Sequence, residues 1–163
     1  MYKKNSHCSY CGTKFSNKYS FPITCDTCSQ ITYSNPIPVA VILLPVEEGI
    51  LLVRRGIEPQ KGKLALPGGF IETGETWQEG GARELREEAG VIIQPKDVKE
   101  FMVHSANENR LVLIFGIAKP MKSSDLQPFT PTEEAPERVI LFHPEELAFE
   151  LHTLAVAEWF KKK

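Results

Sequence analysis

The stretch GGFIETGETWQEGGARELREEAGV, residues 68–91, sets the tightest limit on how this chain folds. Thr76-Trp77-Gln78-Glu79 has the form of a capping box, in which the threonine oxygen accepts from the backbone three residues on and the glutamate reaches back. Gly90 is a natural left-handed terminator. A helix is therefore expected from Thr76 to Gly90, about four turns long. At about 100° per residue, Glu84, Glu87 and Glu88 fall within an arc of about 100°, while Gln78, Ala82, Leu85 and Ala89 gather on a neighbouring face. One face packs on a sheet and the other brings three carboxylates within reach of one point.

Like charges so placed cost a few tenths of a kcal/mol per pair, and more when partly buried, so something positive should offset them. Arg83 lies one turn before Glu87 and can bridge it; Arg86 points away and reads as a solvated charge. A divalent hard cation is the stronger candidate, because Mg²⁺ prefers oxygen ligands. An ordinary solvated acidic face is the competing reading. The preceding Gly68-Gly69 can turn a carbonyl, another hard ligand, toward the helix. Gly80 falls on the carboxylate face, where a missing side chain leaves room for that loop, at a cost of roughly 1 kcal/mol in helix stability.

All four cysteines lie near the start, as Cys8-Ser-Tyr-Cys11 and Cys25-Asp-Thr-Cys28, thirteen residues apart. Two such turns complete a tetrahedral zinc shell. A redox dithiol would come as a single pair near a βαβ pattern, and two disulfides would need an oxidising compartment. Residues 1–35 resemble a zinc ribbon, with a short hairpin expected in the intervening GTKFSNKYSFPIT and His7 read as a surface residue. So small a piece depends on structural Zn²⁺ for folding energy. Its four lysines against Asp26 give +3 and leave −5 for the remainder of a chain whose net charge is −2. With Zn²⁺ and four thiolates the ribbon falls to about +1, a weak footprint for nucleic acid. The apolar run VAVILLPV is far short of the roughly 20 residues that cross a bilayer, and no signal-peptide pattern opens the chain. A cytoplasmic protein with no membrane partner is expected, with oligomeric state, a homodimer included, left open.

Beyond a boundary near SNPIP, residues 36–163 form the main unit. Pro38–Pro45 and Gly49–Arg55 read as a hairpin, residues 56–67 as a loop, VKEFMVHSA and NRLVLIFGIA as a strand pair around a turn at 107–109, and 120–136 as a long loop. ERVILFH reads as a last strand, followed by a helix opening at Pro144. The order indicates an α+β fold with helices packed on a mixed sheet.

Gly69, Glu75 and Arg83-Glu84-Leu85-Arg86-Glu87-Glu88-Ala89-Gly90-Val91 match the Nudix box, GX5EX7REUXEEXGU with U apolar, at every defined position. The region from about residue 36 to 160 thus resembles the Nudix family. The resemblance implies an α/β/α sandwich that hydrolyses a nucleoside diphosphate linked to another group. It also implies that Glu84, Glu87, Glu88 and the Gly69 carbonyl bind Mg²⁺ or Mn²⁺, that Arg83 orients the glutamates and that Glu75 braces the loop. The general base would be a box glutamate or one from a downstream loop, where Glu134 and Glu137 are candidates; an exposed acidic loop is the alternative.

A zinc ribbon ahead of such a domain is similar to the NADH pyrophosphatases and to a group cleaving FAD or ADP-ribose. The SQPWPFPxS motif of the NADH enzymes is absent, as are the coenzyme A signature, the tyrosine of diadenosine polyphosphate hydrolases and the proline of ADP-ribose enzymes. RRGIEPQKGKLALPGGFIETGE resembles the FAD and ADP-ribose group's loop, with Leu64 in place of tryptophan. A small nucleotide of the ADP-X type is the expected substrate. Arg54, Arg55 and Lys63 are candidate phosphate contacts, or plain surface cations, and Phe70 and Trp77 are candidates for base stacking, or core. The competing class is a nucleic-acid-binding or regulatory protein that uses the ribbon as reader and the main domain as ligand sensor.

Overall fold

The apolar run that starts at Val39 supplies two strands to two different sheets. The structure, a computed structural model, describes residues 4–16, 20–106 and 110–163, so the expected turn at 107–109 lies outside the described residues. The chain divides into two units, Met1–Pro36 and Ile37–Lys163.

In the first unit, β1 (Ile23–Thr24) pairs antiparallel with β2 (Ile31–Thr32), and a bridge joins His7 to Lys14. Each CxxC therefore sits in the turn between two paired segments. The expected hairpin between the two cysteine pairs falls partly on residues 17–19, outside the described residues. Cys8, Cys25 and Phe15 are the buried centre of this unit.

In the second unit, β3 (Ile37–Leu43) is followed by β4 (Pro45–Val46), β5 (Gly49–Arg54), β6 (Leu64–Ala65), β7 (Gly68–Phe70), α1 (Trp77–Ala89), β8 (Lys99–Ala106), β9 (Leu111–Ile117), β10 (Glu137–Leu141) and α2 (Glu150–Lys162). One sheet has the order β7-β3-β9-β8, the other β10-β5-β4 with β6 also on β5. The first is mixed, because β3 runs parallel to β9 and antiparallel to β7.

The expected hairpin is thus corrected: β5 returns on β4, not on β3. The chain changes sheets at Leu44, whose carbonyl accepts from Leu51 N–H at 3.0 Å. Alternation explains why both sheets share one layer. Val41, Leu43, Ile50 and Leu52 pack with Ala155 and Val156 of α2, whereas Ile42, Leu44, Leu51 and Val53 pack with Leu85 and Ala89 of α1. Strands therefore lie between the two helices, the α/β/α arrangement.

Two further expectations are revised. Residues 56–67 are not all loop, since β6 pairs with β5, and Gly68-Gly69 belongs to a strand on β3. The last helix opens at Glu150, not Pro144. Leu147 and Ala148 are buried, and Ala148 N–H donates to Leu64 O at 2.7 Å, so tertiary contacts hold this segment extended. Among the described residues no helix is long and apolar enough to cross a membrane.

Helix α1 runs as its end signals predict, with both capping-box hydrogen bonds at Thr76 and Glu79 and with Gly90 left-handed at φ 68°. Thr76→Ala should cost about 1 kcal/mol and lower the midpoint of thermal unfolding by about 3 °C, measured by circular dichroism.

Candidate active site

The caps fix the phase of α1, and the phase puts Glu84 and Glu88 half in, half out of the layer below. Glu84 is 16% exposed at its side chain, against 49% for Glu87. Arg83 collects the surrounding polar groups. Its guanidinium donates to Glu75 at 2.9 Å, to Glu84 at 2.7 Å, to Glu87 at 3.2 Å and to the carbonyl of Phe70 at 2.9 Å. One cation thus ties the β7 strand end, the following loop and the helix together. Glu75 also accepts from Glu72 N–H at 2.7 Å, and Arg83 with that amide holds its carboxyl below the ordinary range. Arg86 is exposed, 3.4 Å from Glu87.

Burial raises the pKa of Glu84 despite Arg83. It pushes Glu88 up to about 7, against the Gly68 N–H bond, with Glu84 adding to the rise, Arg55 opposing it and Glu134 adding further. The Gly68 N–H meets Glu88 at 3.0 Å. Strand β7 presses on α1 so closely that a Cβ on Gly69 would lie 2.4 Å from Glu84 Oε1, and the following loop so closely that one on Gly80 would lie 2.8 Å from Glu75 Oε1. Both glycines are the gaps into which acidic side chains fit, as expected for Gly80.

A cavity of about 350 Å³ is lined by Glu84, Glu87, Glu88, Thr132, Glu133 and Glu134. The turn carrying the last three is closed by Thr132, whose N–H donates to Ala135 O at 3.0 Å and whose Oγ1 accepts from Ala135 N–H at 3.0 Å. It docks through Gly56 N–H to Glu134 O at 2.7 Å. Five carboxylates around one cavity, two of them raised by burial, are the donor set that a hard divalent cation relieves.

The other expected residues divide. Glu137 begins β10 and pairs with Arg54 at 2.6 Å, and it is not among the residues lining the cavity. The same ion pair, with a bond from Arg54 to Gly62 O at 2.8 Å, occupies Arg54. Lys63 faces Glu146 at 3.6 Å. Arg55 uses Nε for Pro59 O at 2.7 Å and lies 5.1 Å over the Phe149 ring; its charge reaches Glu88. Phe70 is 59% exposed, whereas Trp77 packs against the core below α1. Thr132 and Glu133 were missed; the signal available was a short acidic pair framed by Pro131 and Pro136.

In the first unit, Cys8 Sγ is 3.6 Å from Cys28 Sγ, and Cys11 Sγ is 3.6 Å from Cys25 Sγ. All four ligand atoms lie within 4.8 Å of one another. Tetrahedral Zn²⁺ with bonds of about 2.3 Å needs sulfurs about 3.8 Å apart, so the quartet is positioned to bind a metal. Backbone amides of Cys11 and Tyr10 draw the Cys8 thiol down to about 6, toward the thiolate that a metal requires.

A family model, the NUDIX domain, matches residues 35–162. The chain is 41% identical over 66 residues to an ADP-ribose pyrophosphatase of Methanocaldococcus jannaschii, covering 40% of this chain and 39% of that protein. It is 30% identical over 95 residues to the NAD-capped RNA hydrolase NudC of Salmonella heidelberg, covering 58% of this chain and 37% of that protein. The matched segments thus span under two fifths of these relatives. The crystal structure of a NUDIX hydrolase from Nitrosomonas europaea aligns with a TM-score of 0.78 at 27% identity, over 97% of this chain and 92% of that one.

The raised Glu88 carries a stability consequence. Its pKa of about 7 lies above the ordinary carboxylate range, so ionising Glu88 costs the metal-free fold, and stability present at low pH is lost as pH rises through that window. In chelator, Glu88→Gln should therefore be more stable than the parent by roughly 2–3 kcal/mol at pH 8 and by under about 1 kcal/mol at pH 5, measured by urea unfolding.

Proposed function

This chain belongs to the Nudix family, and from that premise we propose that it is a metal-dependent pyrophosphatase cleaving the diphosphate of an ADP-X nucleotide, with ADP-ribose the leading substrate and FAD next. The observation that carries the reading is the cavity in which Glu84, Glu87 and Glu88 face Glu133 and Glu134 beside the Gly69 backbone. Glu84, Glu87, Glu88 and the Gly69 carbonyl would hold Mg²⁺ or Mn²⁺, which would supply charge neutralisation at the diphosphate oxygens and a bound water of lowered pKa.

The chain's own groups supply positioning. Arg83 aims Glu84 and Glu87, and Glu75 holds Arg83 in turn. Arg55 keeps its terminal nitrogens for the diphosphate while Nε holds Pro59 O. Phe70 offers an exposed ring for a planar base. Glu134 replaces Glu137 as the loop carboxylate that takes a proton from the attacking water. Attack at phosphorus breaks the P–O anhydride bond, the bridging oxygen leaves with its electron pair, and AMP and a phosphorylated X result.

Similarity to the ADP-ribose pyrophosphatase favours ADP-ribose. The match to the NAD-capped RNA hydrolase adds a second reading, in which the same bond lies in NAD or at an RNA end. Comparison of kcat/KM for ADP-ribose, FAD, NADH, NAD-capped RNA, diadenosine polyphosphates and nucleoside triphosphates decides among these. The expected order puts ADP-ribose or FAD first, and a preference for triphosphates rejects the ADP-X assignment.

Glu87→Gln should lower turnover by at least roughly 100-fold, because a ligand charge is lost, and Glu134→Gln should lower it by roughly 100-fold, as for loss of a general base. Glu137→Gln should stay within about threefold. For the cysteine unit we propose structural Zn²⁺. Metal analysis should find about one zinc per chain, lost in Cys25→Ser while Mn²⁺ binding by the box persists.

A further inference from the structure

His152, 6% exposed, is a buried imidazole to which no step above gives a part. It lies in the first turn of α2, with its ring edge-on to Phe115 at 5.7 Å and angled against Phe149 at 5.1 Å. Its Nδ1 lies 3.1 Å from the backbone nitrogen of Leu66. An amide can only donate, so Nδ1 accepts and the ring proton sits on Nε2. Burial, with the charge of Arg55 adding to it, holds the imidazole down to about 4, so it is neutral where the bond needs it neutral.

Leu66 is the hinge between the two sheets: β6 ends one residue before it and β7 starts two residues after it. Pro67 O accepts from Ile42 N–H at 2.9 Å, Gly68 N–H donates to Glu88 at 3.0 Å, and Gly69 lies against Glu84. The carboxylates grip this segment from the α1 side. From the other side His152 of α2 bonds Leu66, and Ala148, in the extended segment before α2, donates its N–H to Leu64 O at 2.7 Å.

We propose that His152 is a positioning residue for the cation site, fixing the Leu66–Gly69 backbone so that the Gly69 carbonyl and Glu88 are presented together. The proposal rests on the metal-dependent reading above. His152 bonds Leu66, three residues before the Gly69 ligand, so its loss should fall at or below the low end of the roughly 10–100-fold that follows removal of a direct outer partner of a metal ligand. The acceptor, rather than the bulk of the ring, should carry the effect.

Mn²⁺ binding, followed by the electron paramagnetic resonance of the free ion, tests it on the full chain. Asn places Oδ1 near the position of Nδ1, so His152→Asn should bind within about twofold of the parent even where its smaller volume lowers the unfolding temperature. His152→Leu and His152→Gln, which remove or displace that acceptor, should raise the dissociation constant roughly tenfold. Gln stands in if the Leu chain does not fold. Equal binding by the parent and all variants overturns the proposal, as does a loss in Asn equal to that in Gln. A parent chain that binds no Mn²⁺ overturns the metal reading and this coupling together, whereas binding that ignores position 152 overturns the coupling alone.

Discussion

The guanidinium of Arg83 is the interaction on which the acidic site depends. It is 21% exposed and answers carboxylates from both the loop and the helix. Without it, Glu75 and Glu84 would be poorly solvated anions with like charges for neighbours, an arrangement that costs several kcal/mol for each uncompensated ion. With it, the β7 end and the loop after it are held to α1 by three hydrogen bonds, two to Glu75 and one to Phe70 O, while two more reach Glu84 and Glu87, all from one rigid plane. The local fold and the local charge balance are thus the same set of bonds.

That balance is incomplete by construction. Arg83 satisfies Glu75 and Glu84, yet Glu88 faces the amide of Gly68 and the more distant charge of Arg55. The turn from Thr132 to Ala135 then brings two more acids to the same cavity. A fold selected for stability alone would not gather them. On the proposed reading that excess negative charge is what bound cations would offset, while Arg55, over the Phe149 ring, is a cation whose charge reaches Glu88.

Much of this was legible in the sequence wherever the determinant was local. The capping box, the terminating Gly90, the carboxylate arc and the gap at Gly80 are set by spacing along one helix, and the structure reproduces each. The cysteine spacing likewise fixes two turns. What escaped depends on partners distant in the chain. Alternation in Val39–Val46 says that both faces of a strand are buried, but not that the chain changes sheets at Leu44. Short strands β6 and β7 have too few residues to show a period. Leu147 and Ala148 delay α2 because tertiary burial outweighs the helix-start preference of Pro144. Glu137 and Glu134 look alike in sequence, and only the register of β10 on β5 assigns one to Arg54 and leaves the other at the cavity.

The change of sheets has a mechanical consequence. Because β6 is bonded to β5 and β7 to β3, the peptide from Ala65 to Gly68 is a short strap across the seam between the sheets. A slide of one sheet along the other cannot be absorbed by so few residues, and it would be delivered almost undiminished to Gly69. The position of the Gly69 carbonyl is therefore tied to how the two halves of the strand layer are seated, and core substitutions that shift one half would be expected to reach the acidic cavity through that strap.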